Sequence, residues 1–188
     1  MLEIAMIDDI SDAVGELHQD CIQAGQNIEK DDTPFNRRTY VRTFFSALEA
    51  SIHFMRQIAL ATLAKHPGLF DKEEIEMLEE KRRLRLTDSI AFVCEMYSRA
   101  MYSPFKLVRS GEKWDAFLTA IKVRDSITHP KRRASLDISN QNLHAVQAAY
   151  QFVVGAMIES LAQGSEKVER EVREMLEKHT SSISPEPQ

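Results

Sequence analysis

Apolar residues recur every three to four positions along almost the whole chain, and no alternating run of useful length interrupts them. Ile7, Ile10, Val14, Leu17 and Cys21 form the first stripe and predict a helix over about residues 5–30. In "DDTPFNRR", Thr33 is placed as an N-cap and Pro34 in the first turn of the next helix. Val41, Phe44, Phe45, Leu48, Ile52, Met55 and Leu63 carry that helix to "KHPG", where Pro67 and Gly68 end it. Asp71 and Glu74 have capping-box spacing before a short helix over "KEEIEMLEEKRR". Ile90, Val93, Cys94 and Tyr97 mark a fourth helix that stops before Pro104. Ser110 is placed as the cap of a fifth, with Trp114, Phe117, Leu118 and Ile121 on one face. After "SLDIS" a sixth turns Leu143, Val146, Tyr150, Val153, Met157 and Leu161 inward.

This pattern predicts an all-α fold, an antiparallel bundle of about five to six helices joined mostly by short loops. Residues 1–163 form the bundle in this reading; residues 164–188 form a charged helical extension and a disordered polar tail. A length of 188 residues suits one domain with a real core. The net charge of -5 means that any nucleic-acid binding must use a local patch rather than the field of the whole molecule. Cys21 and Cys94 stand far apart without CxxC spacing, as expected of two small core residues in a reduced cytoplasmic protein. No apolar run approaches the roughly 18 residues of a membrane span, and the acidic, helically patterned N-terminus does not read as a secretory signal.

Several chemistries lack their motifs. There is no phosphate-binding GxxxxGK[ST] loop, no GxGxxG after a strand and no GxSxG elbow. No two histidines stand four apart on one helix and no Cys/His cluster has zinc spacing, so neither a metal nor another cofactor is expected. His18, His53 and His144 read as surface or satisfied helix residues.

"RDSITHPKRR", residues 124–133, is the stretch with chemical content. Pro130 disfavours helix at the preceding residue, so the helix carrying Arg124 should end at about Thr128 and leave His129 on the exit segment. On an unbroken helix the two side chains would lie about 140° apart; an ending at His129 allows them to converge. Arginine is a permanently cationic fork suited to a phosphate oxygen. Histidine titrates near neutrality and can exchange a proton with a ribose 2′-hydroxyl or a leaving oxygen. Asp125 can orient either partner, and Lys131, Arg132 and Arg133 can hold flanking phosphates of RNA. The competing reading is structural, with these cations offsetting the helix dipole and capping the last carbonyls.

The segment "AFLTAIKVRDSITHPK" resembles the signature region of the HEPN superfamily, an arginine followed after four to six residues by a histidine, with a polar residue often next to the arginine. "RRTYVRTFFSALEASI" is similar to the long helix that precedes this motif in bacterial relatives, and the resemblance extends over most of residues 35–162. It implies an all-α homodimer with two motifs meeting across the interface, and metal-independent endoribonuclease activity in a toxin–antitoxin or phage-defence role. It also implies an antitoxin or other regulatory protein as partner, Arg124 on the scissile phosphate and His129 as acid/base. Lys131 occupies the place where one toxin branch has a tyrosine, so chemistry assigned to that tyrosine does not carry over. Many members are catalytically silent, and a non-catalytic RNA- or protein-binding module is the alternative.

A second literal match, Arg173 to His179, lies in the charged extension without an apolar bundle face and reads as chance. "EEKRRLRL", residues 79–86, reads as a solvated helix end or an RNA-facing patch. Arg37, Arg38 and Arg42 read as partners of nearby acids or of phosphate, and Glu49 as a buried acid near the site.

Overall fold

The computed structural model describes residues 4–82, 84–103 and 105–181; the side chains of residues 4, 5, 161, 164–169 and 171–181 are left aside. These residues form six α-helices: α1 (Ile4–Lys30), α2 (Pro34–Lys65), α3 (Lys72–Leu78), α4 (Leu86–Ala100), α5 (Glu112–Thr128) and α6 (Asn140–Ser181). A 3₁₀ turn, Arg133–Leu136, separates the last two, and no strand occurs among the described residues. None of these helices is long and apolar enough to cross a membrane. The expected disordered tail lies at 182–188, outside the described residues; up to Ser181 the charged extension simply prolongs α6.

Helix α2 is the axis of the bundle. It packs against each of the other five helices, while α5 and α6 form the other extensive pair. Its apolar stripe is long enough to serve all of them: Val41, Phe44, Phe45, Leu48, Ile52 and Met55 are buried in one core with Val93 of α4, Phe117 of α5 and Val146 of α6. A smaller cluster of Phe70, Leu78, Met96 and Ala100 fastens α3 to α4. The stripe on α1 is fully covered only from Cys21 onward; Ile7, Ile10, Val14 and Leu17 are half-buried.

Local chemistry explains most helix ends. The Thr33 hydroxyl accepts from the Asn36 N–H at 3.2 Å, and Asp71 and Glu74 make both bonds of the capping box. Two ends differ from expectation. The cap of α5 is Gly111 at φ 80°, with no side-chain bond, so Ser110 is displaced by a residue that enters the left-handed region without strain. Helix α3 stops at Leu78, short of the basic run. There the Glu80 and Lys81 N–H groups return to the carbonyls of Met77 and Glu76 at 3.2 and 3.0 Å, closing a Schellman turn with Glu80 at φ 60°.

Both cysteines are free and buried, and burial pushes their thiols up, to about 11 for Cys21 and about 12 for Cys94. His18 ties three helices together. Ser51 donates its hydroxyl proton to the Ala47 carbonyl at 2.7 Å, so it accepts from His18 Nε2 at 3.0 Å, and His18 Nδ1 accepts from the Tyr150 hydroxyl at 3.3 Å. Burial holds this imidazole below its ordinary value of 6.5. The unfolded chain therefore binds the proton first on acidification, and this contribution to stability is lost as pH falls below about 6.5. Urea midpoints should fall between pH 7.5 and 5.5 in the native protein and fall less in His18→Gln; equal slopes would remove His18 from that dependence.

Candidate nucleic-acid site

The end of α5 is placed by its apolar face. Phe117, Ala120, Val123 and Ile127 are buried, which leaves Arg124 and Asp125 on the outward side. The Arg124 guanidinium lies over the Phe45 ring of α2, 5.3 Å from its centroid. Its Nη2 donates to Glu49 Oε1 at 2.5 Å and its Nη1 to Asp125 Oδ1 at 3.0 Å. Partial burial opposes the charge, but the Asp125 and Glu49 carboxylates outweigh it, and the guanidinium is held above its ordinary value. Asp125 thus orients the arginine. Glu49, placed near the site as expected, is not buried; its side chain is 54% exposed, because its position on α2 opens onto solvent beside Arg124.

Helix α5 ends at Thr128, as Pro130 requires, and His129 is its C-cap at φ -123°, ψ 63°. The imidazole is exposed, and among the described residues no hydrogen bond joins it to Arg124. In the last turn the Thr128 hydroxyl donates to Arg124 O at 2.8 Å and the His129 N–H to Asp125 O at 2.9 Å. Lys131, Arg132 and Arg133 are exposed at the start of the 3₁₀ turn, which the Ser126 hydroxyl fastens to α5 through Ser135 O at 3.0 Å. Their charges face solvent rather than capping the helix.

Arg124 also stands at the wall of a cavity of about 860 Å³ between α2, α5 and the segment joining α3 to α4. Glu49, His53, Arg56, Glu80, Arg82 and Arg85 supply its other charged or titratable groups. Four arginines face two glutamates there, a local surplus of positive charge in a chain of net charge -5. His129, Lys131, Arg132 and Arg133 are not part of this wall. Two members of the basic run, Arg82 and Arg85, are. His53 reads from sequence as a surface or satisfied helix residue and Arg56 has no sequence reading, yet Glu49, His53 and Arg56 follow one another at four- and three-residue spacing on one side of α2.

Of the remaining basic candidates, Arg42 is exposed, and Arg37 and Arg38 are structural. Arg37 makes a two-pronged contact with Asp32, both N–H···O distances 2.5 Å, and donates to Ile138 O and Asn140 Oδ1 at 2.6 Å each. Arg38 reaches Leu136 O at 3.3 Å. Both hold the approach to α6 against the start of α2. The side chains of Arg173 and His179 lie outside the described residues. Among the described residues no three His, Cys, Asp or Glu side chains gather as a metal ion would need. Comparison of the chain with protein-family models, with curated proteins and with solved structures gave no significant match.

Proposed function

We propose that the protein is a HEPN-like, homodimeric, cytoplasmic endoribonuclease that cleaves RNA without a metal ion, in a toxin–antitoxin or phage-defence setting. One observation carries the reading: an oriented arginine at the edge of an arginine-rich cavity shares a helix end with an exposed histidine. Arg124, kept in place by Phe45, Glu49 and Asp125, binds a non-bridging oxygen of the scissile phosphate. His129 takes the 2′-hydroxyl proton or supplies one to the departing 5′-oxygen. Attack by the 2′-oxygen forms the new P–O bond as the bond to the 5′-oxygen breaks, leaving a 2′,3′-cyclic phosphate. With His129 the one histidine of the motif in each chain, the second proton transfer falls to the partner copy's motif across the dimer, and a protein such as an antitoxin restrains the activity.

A second reading, a non-catalytic RNA- or protein-binding module, is favoured by the two carboxylates already on Arg124 and by the absence of His129 from the cavity wall. The two separate on substrate chemistry. The nuclease cuts an oligoribonucleotide in excess chelator and leaves its 2′-O-methyl counterpart intact, because the nucleophile is blocked. Binding of both oligonucleotides with cutting of neither would replace the nuclease by the binding module.

A further inference from the structure

The most unusual side chain on the cavity wall is Arg56. It is 8% exposed, and its Nε is a buried nitrogen without a hydrogen-bond partner. Nη2 makes only a long contact, 3.4 Å, to Ser89 Oγ, so the Nε–Nη2 edge of the fork, well suited to gripping an oxyanion, is poorly used. Nη1 is paired with the carboxylate of Glu80. Glu80 itself occupies the C′ position of the turn after α3 at φ 60°, where glycine is favoured and a longer side chain is strained. A local rule is broken there, and what the glutamate gains is a mostly exposed carboxylate set on a buried guanidinium. Glu49 likewise sets a mostly exposed carboxylate on the partly buried guanidinium of Arg124 at the same cavity. Arg85, exposed at the rim, has no ion-pair partner among the described residues.

We propose that this cavity is a phosphate-binding site, in which the carboxylates of Glu80 and Glu49 stand on Arg56 and Arg124 where ligand phosphates bind. Binding exchanges one anion for another on each arginine, so the glutamates act as built-in competitors that set the affinity. Two arginines on one wall fit a ligand with successive phosphates, either a single RNA strand or a free pyrophosphate group. In the RNA case the site rests on the nuclease reading and seats the phosphates flanking the one on Arg124.

The test uses the full chain, a fluorescein-labelled 2′-O-methyl pentauridylate that cannot be cut, and inorganic pyrophosphate as competitor. Glu80→Gln removes the competing charge, and Glu80→Gly removes it while relieving the backbone, so the second variant keeps its fold. Both should tighten oligonucleotide binding by about five-fold or more, whereas Arg56→Lys, which keeps charge but loses the fork, should weaken it about ten-fold. Competition by pyrophosphate assigns the site to free phosphoryl groups as well; its failure to compete assigns it to the strand. Unchanged or weaker binding in both Glu80 variants, or no binding of either probe, would overturn the site. Cleavage is scored separately on unmodified RNA. A nuclease whose Glu80 variants bind as the native protein keeps the activity and loses this site, and tighter binding without any cleavage does the reverse.

Discussion

Replacement of His129 by alanine should lower RNA cleavage by about 10²- to 10⁴-fold, the usual contribution of a positioned acid/base. The same substitution should leave the fold alone. The imidazole is exposed, and the contact that ends α5, from the His129 backbone N–H to Asp125 O at 2.9 Å, does not involve the side chain. Unfolding free energy should therefore stay within about 0.5 kcal/mol of native, as for surface positions away from special features. Binding to an uncleavable oligonucleotide should also persist, because the arginines that line the cavity are untouched. Activity, stability and binding measured on one preparation give this pattern or refute it. Native-like cutting by His129→Ala would remove the residue from the mechanism, and a fall in all three would mean that it supports structure instead.

The largest effect on stability should come from Phe117→Ala. Phe117 is 0% exposed in the core that α5 shares with α2 and α6, and its ring lies 5.3 Å from that of Trp114. Truncation removes the transfer free energy of the ring and leaves a cavity, together about 3–5 kcal/mol. For a chain of this size that lowers the melting temperature by roughly 6–20 °C. Two turns further along the same helix stands Arg124, so the part of the population that remains folded should still cut RNA only if α5 keeps its seat through Val123 and Ile127. Chemical denaturation checks the prediction; a loss below about 1 kcal/mol would mean that the surrounding side chains collapse into the vacated space.

Helix positions were legible because the signals are local. Thr33, the Asp71/Glu74 box and Pro130 each act within one turn of the residue they name, and the structure places helix ends at all three. Ser110 misled because a glycine beside it reaches a positive φ that serine avoids. The helix expected over "KEEIEMLEEKRR" stops at Leu78 because Glu80 closes a Schellman turn, a conformation its residue type does not announce. At the site, Arg124, Asp125 and the exit of His129 follow from the helix and the proline. The cavity does not follow, since Arg56 and Glu80 are 24 residues apart and meet only when α3 docks on its apolar cluster. Charge density marks Lys131, Arg132 and Arg133 in "KRR", whereas Arg56 stands without a basic neighbour in the middle of α2. The signal for it is the spacing of Glu49, His53 and Arg56, which places three titratable side chains on one side of α2.

The most direct measurement of the central claim is the chemistry of the cut ends. Purified protein is incubated with a defined single-stranded RNA in excess EDTA, beside His129→Ala, and the products are resolved by mass spectrometry. The account predicts 5′-hydroxyl ends and 2′,3′-cyclic phosphates from the native protein, and neither from His129→Ala. Uncut RNA, ends bearing a 5′-phosphate, or the same cyclic products from the variant would contradict it.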